Sequence, residues 1–229
     1  VATIRALKYH GGMPRPDLET PNVAALKAGM VNLTRHVQNL QDVFGQNVVV
    51  ALNAFASDTE EEAAAVIEAM AALGVEVVRA THFADGGAGA IALAETVRDR
   101  LSQPSELTFA YPSEATLRDK ATAVATRVYG AAEVTYSPEA ARELARLQDG
   151  GFGDFEVCIA KTQYSFSTDA KALGAPSGHT VHIRRVSVSA GAGFVVLISG
   201  DIMTMPGLSS RPAALGIDVS DDGQITGIF

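Results

Sequence analysis

The chain has 229 residues, of which 47% are hydrophobic, so it can bury a substantial core. Its 26 acidic and 18 basic residues give a formal net charge of -8, which argues against a nucleic-acid partner because phosphate backbones attract basic surfaces. No stretch approaches the roughly 18 consecutive apolar residues of a membrane span. The single cysteine cannot form an internal disulfide. We therefore expect a soluble, cytoplasmic protein with no membrane partner.

The first predicted helix follows Thr20 and Pro21, because a capping threonine and a proline at the first helical position are typical of a helix start. Apolar residues then recur at three-four spacing until the helix ends near Gly45. The predicted buried face comprises Val23, Leu26, Met30, Leu33, Val37 and Leu40. Ahead of this helix, the chain begins as if inside a strand and without methionine. We therefore expect a fragment whose natural start lies upstream.

The next elements predict a parallel sheet. Residues 47–52 form an almost continuous apolar run, as expected of a strand covered on both sides, and residues 75–80 form a second strand. Between them, Ser57 and Glu60 have capping-box spacing. The predicted buried stripe of this helix is Ala63, Val66, Ile67 and Met70. A strand, helix, strand succession requires a crossover, so both strands should end at the same edge of the sheet, where ligands bind.

The remaining sequence predicts a mixed α+β unit. Loop 81–90 leads into a helix over residues 91–101, and residues 102–112, which contain two prolines, are the predicted linker. Two helices follow, one marked by residues 117–128 and one from Ser137 to Gly150. Strands are predicted at residues 155–160, 179–189 and 194–199, with two short strands after Leu215. Cys158 lies in an apolar strand, which predicts a buried, inert thiol.

Polar and aromatic residues follow both strands of the predicted parallel sheet. Asn53, Phe55, Asp58 and Thr59 come after the first strand, where they would face a ligand in the crevice. The alternative is a capped helix start, in which Asp58 or Ser57 satisfies backbone donors. Phe83 follows the second strand, so the two phenylalanines could clamp a flat heterocycle. The alternative for these rings is core packing.

Charge and backbone amides suggest two further binding positions. Gly86 and Gly87 lie between a strand and a helix, where they could hold an anion or serve only as a turn. Lys161 follows a strand and could supply positive charge to an anionic substrate, or it could be merely solvated. The histidines have no metal-ligand spacing, so no metal site is predicted, and no catalytic residue is assigned. The chain contains neither a GxxxxGK[ST] phosphate loop nor any Gly-Lys pair.

Several separated motifs occur together in one order. They are ATIRALKYHGG, PNVAALKAG, VVVALNAFASDTEEE, THFADGGAGA, VYGAAEV, VCIAKTQYSFSTD, SAGAGF and IMTMPGLSSRPAA. This series resembles formate-tetrahydrofolate ligase, also called 10-formyltetrahydrofolate synthetase, and is similar to its C-terminal two fifths. The resemblance implies an α/β fold, with the parallel-sheet portion of a nucleotide-hydrolase-like domain followed by a smaller mixed α+β domain. The implied division is the end of a preceding domain (1–36), an α/β active-site portion (37–101), a linker (102–112) and a C-terminal α+β domain (113–229).

The resemblance implies a function and assigns site residues. The family forms 10-formyltetrahydrofolate from formate, ATP and tetrahydrofolate through formyl phosphate, with magnesium assisting phosphoryl transfer. A pterin clamp is implied at Phe55 and Phe83, and Asn53, Asp58 and Thr59 match the family's strand-end motif. The phosphate loop belongs to an N-terminal part outside this chain. We therefore expect the isolated chain to be inactive, and we expect that N-terminal part and further copies of the chain, in a homo-oligomer, as its partners.

Four positions depart from the family pattern. The family usually has tryptophan where Phe83 stands and proline where Ala56 stands, and it often has a basic residue at Ala54 and lysine at Asp85. These changes leave ring stacking available. Two alternatives to a ligase part stay open: a noncatalytic folate-binding or assembly module, and a degraded homologue that retains only the fold. The first predicts folate binding without restored turnover, whereas the second predicts no folate binding.

Overall fold

Two hydrophobic cores organise the computed structural model, which describes residues 1–200, 202 and 212–227. One core gathers buried side chains between Ala2 and Val75, and the other gathers those between Leu117 and Leu197. Most of the motif IMTMPGLSSRPAA lies outside the described residues. The predicted division at residues 36 and 37 and the predicted linker stay predictions. No described helix is both long enough and apolar enough to cross a membrane.

Helices pack around a small sheet in the first unit. Its elements are α1 (Ile4–His10), α2 (Val23–Gln38), β1 (Val49–Asn53), α3 (Glu60–Ala71), β2 (Glu76–Ala80), α4 (His82–Asp85) and α5 (Ile91–Arg100). Two glycines let α1 and α2 approach closely. A Cβ atom at Gly29 would lie 1.8 Å from the carbonyl oxygen of Leu7, and one at Gly11 would lie 1.8 Å from that of Ala25. Since real Cβ atoms do not approach backbone so closely, only glycine permits this packing.

The predicted parallel sheet is confirmed. Strands β1 and β2 pair in parallel, with Asn53 opposite Ala80. The amide of Ala54 donates to the carbonyl oxygen of Ala80 at 3.0 Å. On the other side of β1, the Ala2 amide donates to the Ala51 carbonyl oxygen at 2.8 Å. The loops that follow β1 and β2 therefore open at one edge of the sheet, as the sequence predicted.

Several local predictions for the first unit are wrong. The capping box joins Thr59 to Glu62 rather than Ser57 to Glu60, because Thr59 is the last residue with extended backbone before α3. Leu40 is 43% exposed, since the chain widens into a π-helix over Asn39–Val43, and the wider turn changes which side chains face the core.

Two further predictions in this region also fail. Ile67 is 45% exposed because it lies at the edge of the stripe that Val66 and Met70 bury. The predicted loop 81–90 folds instead into α4 and a 3-10 helix over Gly86–Ala90.

A four-stranded sheet organises the second unit. Its elements are α6 (Leu117–Ala123), β3 (Glu133–Tyr136), α7 (Pro138–Leu147), β4 (Glu156–Ala160), β5 (Thr180–Ser189) and β6 (Phe194–Ser199). The strand order is β3-β5-β6-β4; β3 pairs in parallel with β5 and β4 with β6, whereas β5 and β6 are antiparallel. The short strands β7 (Asp218–Val219) and β8 (Ile225–Thr226) confirm the predicted pair after Leu215. The predicted mixed α/β architecture is confirmed, although sequence analysis missed β3.

The buried-thiol prediction is wrong. Cys158 is exposed, whereas the next residue, Ile159, is only 8% exposed and belongs to the second core. Successive side chains of a strand point to opposite faces, so an inward Ile159 turns the cysteine outward.

Helix α2 and the π-helix that continues it connect the two units. The side-chain amide of Asn32 donates to the carbonyl oxygen of Gly174 at 2.8 Å, and that of Asn39 donates to the carbonyl oxygen of Val128 at 2.9 Å. The Gly174 amide in turn donates to Nδ1 of His10 at 3.1 Å. The segment after β4 is thereby held next to α1, and residues of the first and sixth quoted motifs line one cavity there.

Candidate functional site

The predicted polar residues after β1 first serve the local fold. The Thr59 hydroxyl accepts the Glu62 amide at 3.2 Å and caps α3. Oδ2 of Asp58 accepts the Phe55 amide at 2.9 Å, which closes the turn between the strand and the helix. The capped-helix interpretation therefore holds for one oxygen of Asp58, whereas the residue that caps α3 is Thr59 rather than Ser57.

Two acceptor atoms at this edge have no donor. Oδ1 of Asn53 and Oδ1 of Asp58 are both buried and unpartnered among the described residues. A buried polar atom without a partner costs roughly 1–3 kcal/mol, so such atoms need an explanation. A ligand with N–H groups would supply the missing donors. The two oxygens thus make the edge of the β1–β2 sheet a candidate binding site.

Aromatic rings stand at the ends of both strands. Phe55 is half-buried, and the guanidinium carbon of Arg5 lies 3.6 Å from its ring centroid. Phe83 is the second residue of α4, which begins two residues after the end of β2, and its side chain is 85% exposed. The core-packing alternative is therefore wrong for Phe83. An exposed phenylalanine beside unpaired buried acceptors is a surface on which a flat ligand can stack.

The predicted anion loop has an ordered backbone but no assigned ligand. Gly86 has a φ of 59° and a ψ of -142°, a conformation that only glycine adopts readily. A Cβ atom at Gly89 would lie 2.5 Å from the backbone of Thr81, so close packing requires that glycine. A Cβ atom at Gly87 would meet nothing within 4 Å. Anion binding by Gly86 and Gly87 stays a prediction.

Lys161 belongs to a different environment from the β1 edge. Its Nζ donates to the carbonyl oxygens of Thr162, at 3.2 Å, and Ser165, and it lies 4.7 Å from the ring centroid of Tyr129. Burial lowers the pKa of Lys161 to about 8. The solvated alternative is therefore wrong. Lys161 thus contacts residues of the second unit, and its binding of an anionic substrate stays a prediction.

A buried ion pair lies behind the site and was missed by sequence analysis. Nζ of Lys8 is 3.0 Å from Oε1 of Glu62, and both side chains are fully buried. Burial acts to raise the pKa of Glu62, but hydrogen bonds from the Asn22 amide, Lys8 and Thr59 outweigh it and lower the pKa. The signal in the sequence was a lysine in register with Ile4 on the buried face of α1. The pair holds the capped start of α3, and hence the site, against α1.

The fold and this edge define an α/β protein with a candidate ligand crevice where two parallel strands end. The described residues contain no cluster of three or more His, Cys, Asp or Glu side chains that could hold a metal ion. Ligands of open α/β sheets occupy such crevices. The geometry thus makes this edge a candidate position for a flat, N–H-bearing molecule.

Comparison with known proteins identifies the family. The family model described as formate-tetrahydrofolate ligase matches residues 1–229. The chain is 54% identical to formate-tetrahydrofolate ligase from Nocardioides sp., and 52% identical to the enzymes of that name from Methylococcus capsulatus and Symbiobacterium thermophilum. Each match covers 100% of this chain and 41% of the relative. The chain belongs to the formate-tetrahydrofolate ligase family, and it spans about two fifths of the length of these relatives.

Proposed function

We propose that this chain is the C-terminal part of a formate-tetrahydrofolate ligase and forms the folate-side wall of its active site. The observation that carries the proposal is the edge of the β1–β2 sheet, where Phe55 and the exposed Phe83 accompany two buried oxygens that have no partner in the described part of the chain. The parallel pair would then be part of a nucleotide-hydrolase-like domain. We take the reaction from family membership, and we assign its folate half to this chain because of the site.

The chemistry of tetrahydrofolate matches this edge. Its pterin is a flat heterocycle, which can stack on phenylalanine, and its ring N–H and amino groups are donors. Oδ1 of Asn53 and Oδ1 of Asp58 are acceptors that lack donors among the described residues, so binding would remove their desolvation penalty. The chain would thereby orient the folate so that N10 faces the formyl group. Correct orientation of reacting groups is itself a large contribution to catalysis.

The nucleotide half of the reaction would lie elsewhere. ATP binding in such enzymes needs a glycine-rich loop with a lysine for the phosphates, and this sequence contains no Gly-Lys pair. The described residues also offer no metal cluster. We therefore derive no phosphoryl step from this chain. ATP and magnesium would be held by an N-terminal part, which is the expected partner, and the isolated chain would not hydrolyse ATP.

Binding of tetrahydrofolate tests the folate wall. Isothermal calorimetry under anaerobic conditions should detect binding to the chain, and Phe55→Ala should weaken it about tenfold, because a stacked aromatic contributes about 1 kcal/mol beyond its buried area. Phe109→Ala is the control, since Phe109 is a phenylalanine outside this edge, with a side chain that is 69% exposed. If the unmodified chain and Phe55→Ala bind tetrahydrofolate with equal affinity, the Phe55 ring does not contribute to the site.

A complementation assay separates the ligase part from its rival. The chain is mixed with a phosphate-loop-bearing N-terminal half, and formation of 10-formyltetrahydrofolate is followed. Restored turnover supports the ligase proposal. Folate binding without turnover favours a noncatalytic folate-binding or assembly module. That alternative is consistent with a sequence that contains no Gly-Lys pair. Absence of folate binding contradicts both and favours a homologue that retains only the fold.

A further inference from the structure

An aromatic cavity lies between the two units. Its volume of about 650 Å³ is in the range of small-molecule sites. Its walls come from the end of the π-helix after α2, from residues 109–113, and from the π-helix over Val124–Val128 that continues α6. Four rings and one carboxylate line it, those of Phe44, Phe109, Tyr111, Tyr129 and Glu156. Its described lining includes none of the residues proposed to contact folate, so it is a separate cavity.

The lining of the aromatic cavity carries negative charge. Glu156 is the only charged side chain in its described lining. The Tyr111 hydroxyl donates to Oε2 of Glu156, whereas Oε1 accepts no hydrogen bond from the described residues. Burial and this hydrogen bond raise the pKa of Tyr111 to about 12, so the phenol stays protonated and the charge resides on the carboxylate. The cavity therefore disfavours an anionic ligand and favours a cationic one.

Three cations lie near the cavity but do not line it. All three donate to backbone carbonyl oxygens, and none pairs with Glu156 in the described part of the chain; they are Arg127, Lys120 and Lys161. Nζ of Lys120 lies 5.7 Å from the Tyr111 ring centroid, and Nζ of Lys161 lies 4.7 Å from that of Tyr129. These two rings thus already receive a cation, but the negative charge of Glu156 remains available to a ligand.

Phe44 and Phe109 are the rings left for a ligand. No Lys or Arg of the described residues stacks on either ring, and Phe109 is 69% exposed. The Thr108 amide donates to the carbonyl oxygen of Phe44 at 3.2 Å, and the Thr108 hydroxyl donates to that of Val43 at 2.7 Å. These bonds hold the two ring-bearing segments together. Aromatic faces attract cations electrostatically, which is how proteins recognise ammonium ligands.

We propose that the aromatic cavity binds an arylalkylammonium ion, with its ammonium group at Glu156 and its ring beside Phe44 and Phe109. The ammonium N–H groups would donate to Oε1 of Glu156, and the ligand's ring would bury apolar surface against the phenylalanines. The proposal goes beyond the ligase reaction, because formate, ATP and tetrahydrofolate all carry negative charge at neutral pH. It does not depend on the folate wall, since the two sites share no proposed contact residue.

Three ligands of similar size and different charge test this proposal. They are phenethylammonium, phenethyl alcohol and phenylpropionate, which are cationic, neutral and anionic at neutral pH. Their dissociation constants for the chain are measured by NMR titration of the protein's amide signals. Phenethylammonium should bind most tightly and phenylpropionate least tightly. The amide signal of Tyr111 should shift as phenethylammonium is added, because Tyr111 lines the cavity.

Substitutions in the lining separate the charge from the rings. Glu156→Gln should weaken phenethylammonium binding about fivefold, the upper range for an exposed ion pair, and leave phenethyl alcohol unchanged. Glu95→Gln is the matched control, since Glu95 is exposed on α5 and the variant changes the net charge equally. Phe109→Leu keeps an apolar side chain but removes a ring face, so it should weaken phenethylammonium binding about threefold.

Several outcomes would overturn the proposal. Equal affinities for the three ligands, or tightest binding of phenylpropionate, would show that the cavity does not select a cation. A loss on Glu156→Gln that is as large for phenethyl alcohol, or that Glu95→Gln reproduces, would show that the carboxylate is not the partner of the ammonium group. An unchanged Tyr111 amide signal would place the ligand outside the cavity. Because Glu156 is exposed, its variant should fold, which circular dichroism checks, and Phe109→Leu provides an independent test.

Discussion

Removing Lys8 should destabilise the first unit more than almost any other single side-chain change. Nζ of Lys8 contacts Oε1 of Glu62 at 3.0 Å and donates to the carbonyl oxygen of Thr20 at 2.9 Å. Lys8→Met keeps a long apolar side chain but leaves the Glu62 carboxylate buried without its counter-charge. The amides of Asn22 and Thr59 would still donate to that carboxylate, but neither carries a full positive charge.

The expected size follows from the geometry. Removing one partner of a buried ion pair costs about 3–5 kcal/mol, because the remaining charge is desolvated and uncompensated. A typical domain has a free energy of unfolding of about 5–15 kcal/mol, so the loss would be a large fraction of the total. The double variant Lys8→Met with Glu62→Gln removes both charges, and it should be destabilised by less than the sum of the two single changes.

Urea unfolding followed by circular dichroism measures these free energies. Acidification provides a second readout. The pKa of Glu62 is lowered in the folded chain, so its contribution to stability is present above its unfolded pKa and is lost as the pH falls through the folded pKa. Glu62→Gln should remove that component. A Lys8→Met variant within 1 kcal/mol of the unmodified chain, or additive single changes, would refute the reasoning.

Two further predictions use other parts of the fold. Gly29→Ala should lower the free energy of unfolding by about 3 kcal/mol, because its Cβ atom would lie 1.8 Å from the Leu7 carbonyl oxygen. The control is Gly191→Ala, whose Cβ atom would meet nothing within 4 Å and whose free energy of unfolding should change by no more than about 0.5 kcal/mol. Urea unfolding measures both variants, and equal losses would contradict the packing argument. The pKa of Lys161 is lowered to about 8 in the folded chain, so above pH 8 the unfolded chain binds more protons than the folded chain does. The free energy of unfolding should therefore rise between pH 8 and 9.5. Lys161→Met should flatten that rise, and an unchanged slope would show that another group causes it.

The sequence was sufficient for the elements whose patterns are local. The apolar run that forms β1 and the three-four spacing of α2 each specify an element without distant contacts, and both were predicted. The parallel pairing of β1 and β2 also followed, since a crossover helix leaves few other arrangements. The placement of Phe55 and Asn53 after β1 was likewise predictable, because the end of a strand is visible in the sequence.

Local patterns failed where two signals competed. Ser57 with Glu60 and Thr59 with Glu62 both have capping-box spacing, and only the backbone conformation decides which pair caps the helix. Strand β3 was missed because its four residues, Glu133–Tyr136, are half apolar and too short to show a period. Cys158 was misplaced because the strand's composition is apolar on both faces, whereas its orientation depends on which face packs on helices.

By itself, the sequence determined the family, most of the element types and the residues at the strand ends, because these depend on neighbours along the chain. Only the tertiary structure brought Lys8 to Glu62, left two acceptors at the β1 edge without donors from the residues that the structure describes, and set Arg15 between Tyr9 and Tyr164. Such contacts join residues that are far apart in the chain, and their energies depend on burial and distance, which no local pattern encodes.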